Sequence, residues 1–317
     1  MRANVEGAGL TMRPVVWLAT LVVGYIGVYL CRKNFSVALP MIQEELGVSR
    51  AQLGLVASVS TIAYAAGKFI FGPVIDRVGG RACFLGSLIL VAGFALAGGV
   101  APSLGLLTVV YSANRFAGSA SWGSMVKLVP GWFSARGLPL AMAWLSLSFV
   151  FGGVCAVLLA GQIAAWSGNN WRWVMAGPAL VLIVIWIWCW RVLPNGATQA
   201  QANANRGVTE GFRLNQLPEL LRMRQFWVVC ALSFALTLLR ETFNVWTVDF
   251  FKTSGGAEMS NRMAAFLSTP FDACGAAGIV VLGWLFGRLG PRGRMRLLCV
   301  MLILVALLLQ SVPWLSR

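Results

Sequence analysis

Residues 14–42 read PVVWLATLVVGYIGVYLCRKNFSVALPMI, an apolar run that carries an adjacent Arg32 and Lys33. A helix needs about 20 mostly apolar residues to cross the ~30 Å hydrocarbon core of a bilayer. The run is long enough for such a helix, and its two cations then fall inside the membrane. This stretch therefore predicts a membrane-spanning helix with a charged site within it.

The whole chain shares this apolar character, because 58% of its 317 residues are hydrophobic and only 11% are charged. Soluble domains carry about 25% charged residues. Lipid offers no hydrogen-bond partner to an open backbone, so we expect an all-α polytopic membrane protein. The chain contains no His, which excludes His-based catalysis and His metal ligands. Its seven Cys lie in or beside apolar segments without metal-ligand spacing, and we interpret them as packing residues.

Nine apolar segments are candidate spans, at residues 14–42, 53–75, 82–101, 105–130, 138–165, 173–193, 226–251, 263–286 and 297–314. The polar stretch 194–225 separates the sixth segment from the seventh. We interpret it as a cytoplasmic linker between an N-terminal six-helix half, residues 1–193, and a C-terminal part, residues 226–317.

The formal net charge of +15 would suggest a nucleic-acid partner in a soluble protein. Here the positive-inside rule explains most of it. With the N-terminus in the cytoplasm, most Lys and Arg residues outside the spans fall on the cytoplasmic side. We therefore expect a multi-pass protein of the cell (inner) membrane with a cytoplasmic N-terminus and no nucleic-acid partner.

The sequence also repeats itself. Residues 72–81 read GPVIDRVGGR, and residues 283–292, 211 positions later, read GWLFGRLGPR. Arg32 in the first span and Arg240 in the seventh lie 208 positions apart, which is nearly the same offset. Two similar sets of helices joined by a linker are typical of secondary transporters built from parallel repeats.

Five cations fall inside the predicted spans: Arg32, Lys33, Lys68, Arg115 and Arg240. A cation at mid-membrane costs about 2.5–3.5 kcal/mol on the insertion scale. Two acids, Glu241 and Asp272, are placed to offset them, which leaves a surplus of positive charge. An anion entering from water would relieve it, and the planar fork of arginine is suited to phosphate.

Simpler interpretations of these cations stay open. Arg32 and Lys33 would snorkel to the interface if the first helix ended at Cys31, and Lys68 would do so at the end of the second. Arg115 lies in YSANRFAGSASWG, where small residues favour close helix contact. That setting favours a structural or gating role for Arg115 over contact with a ligand.

Several of these stretches resemble a known family. GPVIDRVGGR resembles the signature loop between helices 2 and 3 of the major facilitator superfamily. YLCRKNFSVALP at 29–40 and TIAYAAGKFIFGPVIDR at 61–77 resemble the organophosphate:phosphate antiporters, the glycerol-3-phosphate and hexose-phosphate transporters. LTLLRETFNVW at 236–246 and DACGAAGIVVLGW at 272–284 extend the resemblance along the chain.

The resemblance implies that Arg32 and Arg240 face each other across a pore and hold the substrate phosphate. It implies neighbouring binding or gating roles for Tyr29, Lys33, Tyr64 and Lys68, and an acidic switch role for Asp272. Gating ion pairs are expected from the charged residues of the first loop, Asp76, Arg77 and Arg81. Asp76 is expected at the cytoplasmic end of the second span, near the start of a following helix or a basic partner, in an ion pair between the halves. The implied activity is exchange of a small organic phosphate for inorganic phosphate by rocking of two six-helix halves. We expect a monomer that needs no cofactor and catalyses no covalent reaction.

This chain departs from the resembled carriers near the substrate. Ser148 stands where the glycerol-phosphate carriers have a His, and Thr237 where they have a Tyr, so the organic group is undetermined. Glu241, next to Arg240, opposes anion binding unless it is protonated or paired with Lys33 or Lys68.

The length is a further departure. The 211-residue offset maps the start of the fourth span onto about residue 316, so we expect the chain to stop before helix 10. Two alternatives to a carrier stay open. One is a membrane sensor of sugar phosphate that signals to a partner histidine kinase, and the other is an inactive truncated carrier.

Overall fold

The computed structural model describes residues 12–134, 137–195, 217–254 and 259–315. Nine long helices account for most of them: α1 Met12–Leu46, α2 Arg50–Val78, α3 Gly80–Gly99, α4 Leu104–Leu128, α5 Leu138–Trp166, α6 Trp171–Val192, α7 Arg224–Ser254, α8 Asn261–Arg288 and α9 Pro291–Leu315. A 3₁₀ turn, Val129–Gly131, follows α4. We call α1–α6 the first unit and α7–α9 the second unit.

Each long helix coincides with a predicted apolar segment and extends beyond one or both of its ends. By length and apolar composition alone, six of the long helices in the described residues are able to cross a membrane: α1, α2, α3, α5, α6 and α7. In α9 the apolar part is shorter, Met295–Leu308. The predicted linker holds a short helix, Leu217–Arg222, and its residues 196–216 lie outside the described part of the chain.

Local signals explain where several helices begin and end. Ser49 and Gln52 form a capping box at the start of α2, where the Ser49 hydroxyl accepts from the Gln52 backbone N–H. The hydroxyls of Ser103 and Ser260 cap α4 and α8 by accepting from the backbone N–H groups of Leu106 and Met263. Gly79 separates α2 from α3 with a φ of 96°, a conformation that favours glycine, in the middle of the 72–81 motif.

The first unit packs around α1, which lies against α5 and α6. Gly152 allows the close approach of α5, because a Cβ there would lie 2.9 Å from the Cβ of Tyr29. On the other side, α4 packs against both α2 and α3. This arrangement places α1, α2 and α4 around a shared interior.

A proline in α6 is compensated by a side chain from α1. Pro178 has no N–H, so the Val174 carbonyl four residues earlier loses its helical partner. Asn34 Nδ2 donates to that carbonyl at 3.2 Å and to the Met175 carbonyl at 3.1 Å. In a membrane a freed backbone group needs such a partner, so this contact fixes the rotation of α1 against α6.

Two apolar layers enclose the polar middle of α1. One layer contains Leu21 and Tyr25, near the end of the bundle where α1 begins. The other contains Phe35 and Leu39, toward the end where α1 finishes, which we call the far end. Arg32 and Lys33 lie between them on an unbroken helix that continues to Leu46. The interpretation that they terminate a shortened first helix is therefore wrong.

The second unit meets the first at the far end. Arg50 Nε, at the start of α2, lies 3.0 Å from Asp249 Oδ2, near the end of α7. Asn261 Nδ2 donates to Asn169 Oδ1 at 3.1 Å. Gly161 of α5 lets α8 approach, because a Cβ there would lie 2.9 Å from the Cβ of Ala265. The apolar layer near the start of α1, in contrast, consists of first-unit residues throughout.

Candidate functional site

A cavity of about 720 Å³ lies at the middle of the bundle, between the first unit and helices α7 and α8. Its polar wall carries four cations and one acid among the described side chains: Arg32, Lys33, Arg115, Arg240 and Glu241. Tyr29, Ser36, Thr61 and Asn244 add hydroxyl and amide groups, and Phe35, Phe149 and Phe271 add aromatic rings. This is the size and composition of a site for a small charged organic molecule.

Glu241 is surrounded by three guanidinium groups. Its Oε1 lies 3.1 Å from Arg32 Nη2 and 3.3 Å from Arg240 Nη2, and its Oε2 lies 3.3 Å from Arg115 Nη2. Arg32 and Arg115 come from the first unit, so Glu241 bridges the two units. The sequence suggests Lys33 or Lys68 as its partner, whereas the structure places arginines there.

The ring of Tyr64 makes cation–π contacts with three cations at one side of the site. The guanidinium carbons of Arg32 and Arg115 lie 4.7 and 5.1 Å from its centroid, and Lys68 Nζ lies 4.8 Å from it. Tyr29 contributes a second ring, 5.2 Å from the guanidinium carbon of Arg32. Cation–π contacts of this kind stabilise positive charge away from water, so the tyrosines hold the cations in place.

Helix α4 positions the site from behind. Tyr111 Oη donates to the Arg32 carbonyl at 3.0 Å, and its ring stacks on Phe35 with centroids 4.5 Å apart. Arg115 lies one turn further along α4, with only 5% of its side chain exposed. Its Nη2 also donates to Thr61 Oγ1 at 3.4 Å. These contacts fix the height of Arg32 relative to Arg115.

The structure brings most of the predicted binding residues together. Arg32, Arg240, Lys33 and Tyr29 line the cavity, and Lys33 is buried. Tyr64 borders a small adjoining pocket that also contacts Arg32. Lys68 is exposed and reaches the site only through the Tyr64 ring.

The charged residues of the first loop lie away from the cavity. Asp76 pairs with Lys127 of α4, which is a basic partner as the sequence predicts, but in this conformation the pair lies inside the first unit and does not join the two halves. The reason is that α4 ends beside the end of α2. Arg81 donates to the Leu193 and Trp190 carbonyls at the end of α6, and Arg77 is exposed. The backbone of Asp272 lies on α8, and its side chain is outside the described part.

The sequence leaves two cavity residues without a ligand-site role. Arg115 is visible as a charge in an apolar segment, but only the packing of α4 against α2 directs it to Glu241. Tyr111 carries no distinguishing pattern in the sequence. Ser148 is buried, and its hydroxyl donates to the Leu145 carbonyl of its own helix.

Residues 21–316 match the Major Facilitator Superfamily, and the chain belongs to that family. It is 28% identical to a probable hexose phosphate transport protein of Chlamydia pneumoniae, over 94% of this chain and 70% of that protein. It is 26% identical to the glycerol-3-phosphate transporter of Bacillus subtilis (strain 168), over 84% of this chain and 63% of that protein. The membrane sensor protein UhpC of Escherichia coli (strain K12) is also 28% identical, over 89% and 67%. The chain thus spans about two thirds of the length of these relatives.

Solved structures agree on the fold. A bacterial homolog of the human lysosomal transporter Spinster, in its inward-facing and unoccupied conformation, superposes with a TM-score of 0.73. It covers 90% of this chain at 19% sequence identity, and the match spans 64% of the homolog. A D-xylose–proton symporter superposes with a TM-score of 0.63 at 14% identity. Together with the family match, these likenesses show that the chain has the major facilitator fold.

Proposed function

We propose that this chain acts in secondary active transport, exchanging a small organic phosphate for inorganic phosphate across the cytoplasmic membrane by alternating access. The observation that carries the proposal is the convergence of the guanidinium groups of Arg32, Arg115 and Arg240 in one central cavity. Similarity to hexose-phosphate and glycerol-3-phosphate transporters supports the same substrate class.

The charge balance of the cavity favours a phosphate ester. The three arginines carry positive charge, and Glu241 is the acid that faces them on the described part of the cavity wall. Charges within a membrane are costly unless they are paired, so a multiply charged anion is stabilised there. Each arginine offers a planar set of donors that fits two oxygens of one phosphoryl group.

The rest of the cavity fits a compact organic group. Tyr29, Ser36 and Asn244 provide hydrogen-bonding groups for hydroxyls, and Phe149 and Phe271 cover the apolar faces. A glycerol or hexose unit is within the capacity of about 720 Å³. The Ser148 hydroxyl donates to the backbone of its own helix, so contacts to the organic group come from other residues.

Alternating access is supported by where the two units touch. Besides the Glu241 bridge at the cavity, the polar contacts described between the units, Arg50 with Asp249 and Asn169 with Asn261, lie at the far end. With the N-terminus in the cytoplasm, the far end is the outer face, and the cavity opens to the cytoplasm. Rocking of one unit against the other about the central cavity then exposes the same site to the opposite side.

Counterflow in proteoliposomes tests the proposal. Vesicles containing the purified chain are loaded with inorganic phosphate, and uptake of labelled glycerol 3-phosphate or glucose 6-phosphate is followed. We expect uptake that requires internal phosphate and is lost in Arg32→Gln. Arg172→Gln is the matched control, because Arg172 pairs with Glu45 away from the cavity. Uptake that is equal with and without internal phosphate would contradict exchange.

A sensor is the second candidate, favoured by the 28% identity to the membrane sensor protein UhpC. A sensor would use the same cavity but report occupancy to a partner histidine kinase. The two candidates differ in turnover: a carrier moves labelled phosphate ester into vesicles, whereas a sensor binds it at equilibrium without accumulation. Saturable binding without uptake would therefore favour the sensor.

A further inference from the structure

Glu241 occupies the point at which the arginines of the cavity converge. Its two carboxylate oxygens lie 3.1 to 3.3 Å from the Nη2 atoms of Arg32, Arg115 and Arg240. Only 17% of its side chain is exposed, and that of Arg115 only 5%. A carboxylate held in this way makes the contacts that two oxygens of a phosphoryl group would make.

We propose that Glu241 is a built-in counter-anion of the substrate site, which an entering phosphoryl group must displace from Arg32 and Arg115. The inference rests on the proposed function and adds a residue that sets the affinity of the site. Its consequence is that occupancy by substrate and the Glu241 bridge between the two units are mutually exclusive.

The displacement follows from electrostatics and geometry. Two anions about 4 Å apart repel each other strongly inside a protein, so phosphate and Glu241 cannot share the same guanidinium groups at low energy. Arg32 and Arg115 are fixed in the first unit by Tyr111, Thr61 and the Tyr64 ring. Glu241 belongs to α7, whose neighbouring Arg240 is half exposed. Movement of α7 therefore separates Glu241 from the arginines more readily than movement within the first unit.

This arrangement explains how an empty site keeps its arginines in place. A cluster of unpaired cations would repel itself and open the cavity to water. Glu241 supplies a partner that is tethered, so it is present whenever substrate is absent. When phosphate replaces Glu241, the link from α7 to α1 and α4 is lost. The protein then makes different contacts in the empty and the phosphate-bound state. Such differential contact is what coupling of binding to motion requires.

Equilibrium binding of labelled inorganic phosphate to the purified full chain in lipid nanodiscs tests the proposal. We expect Glu241→Gln to bind phosphate roughly tenfold more tightly or better than the wild type, because the competing charge is removed. Glu45→Gln is the matched control, since Glu45 pairs with Arg172 on the surface, and its Kd should equal that of the wild type. Equal or weaker binding by Glu241→Gln would overturn the inference.

A second comparison keeps the test valid if Glu241→Gln alone misfolds. Arg240→Gln is compared with Arg240→Gln/Glu241→Gln, which removes one cation and one anion and leaves Arg32 and Arg115 in place. The double variant should bind phosphate more tightly than Arg240→Gln, and the opposite order would refute the counter-anion. If the wild type binds phosphate as tightly as Glu241→Gln, only this inference fails. If no protein in the set binds phosphate, the proposed function fails with it.

Discussion

Arg50 at the start of α2 reaches across to Asp249 near the end of α7, with Nε 3.0 Å from Oδ2. The same guanidinium donates through Nη2 to Thr253 Oγ1 at 2.6 Å. The Asp249 side chain is 9% exposed and that of Arg50 is 50% exposed, so the pair is shielded on one side only. It joins the two units at the far end.

Breaking this pair should favour separation of the units at the far end. An ion pair with one exposed partner is worth about 0.2–1 kcal/mol, so Arg50→Ala should change the ratio of conformations by a factor of roughly 1.4 to 5. Cysteines introduced at positions 51 and 250, in a background without the native cysteines, carry spin labels that report the distance between α2 and α7. The charge-swapped variant Arg50→Asp/Asp249→Arg should restore the wild-type distribution, and failure to do so would assign the effect to packing.

The planar donor pair of the Arg32 guanidinium should matter more for phosphate binding than the positive charge alone. Arg32→Lys keeps the positive charge but loses the planar donor pair, and it also weakens the contact with the Tyr64 ring. Loss of one charge-assisted hydrogen bond predicts roughly tenfold weaker phosphate binding. Equilibrium binding of labelled phosphate measures it. Arg172→Lys is the control outside the cavity, and normal phosphate binding by Arg32→Lys would exclude a forked grip.

Asp76 should influence the rate of exchange and leave the affinity unchanged. It pairs with Lys127, which also donates to the Ile75 carbonyl at 3.4 Å and so fastens the end of α2 to the end of α4. Asp76→Asn removes the charge and loosens this contact, at a distance from the cavity. We expect the maximal counterflow rate to fall several-fold while the half-saturating phosphate ester concentration stays constant. A raised half-saturating concentration at an unchanged rate would indicate a ligand role.

Asn34 should stabilise the fold because of Pro178. Asn34→Ala leaves the Val174 carbonyl buried without its partner, which costs about 1–3 kcal/mol. The melting temperature of the purified chain should fall accordingly. In the Pro178→Ala background the residue at 178 regains its N–H and bonds that carbonyl, so Asn34→Ala should cost less there. Equal losses in both backgrounds would show that Asn34 acts through packing.

The sequence by itself determines the helices and their order. A bilayer leaves a helix as the only local solution for each apolar segment, so length and hydropathy locate α1 to α9 without knowledge of their neighbours. The capping serines and Gly79 are equally local. The polar face of α1 around Arg32 can be predicted for the same reason, because charges in an apolar helix need a partner in the interior.

The tertiary structure alone decides which side chains become partners. The sequence suggests Lys33 or Lys68 for Glu241, but the packing of α4 against α2 brings Arg115 to it instead. The partner of Asp76 is likewise set by α4, which ends beside α2. Contacts between helices depend on their rotation and spacing, which arise from small residues such as Gly152 and from single hydrogen bonds such as that of Asn34. Lipid is as apolar as the helix faces, so hydropathy carries no information about those contacts, and only the assembled bundle fixes them.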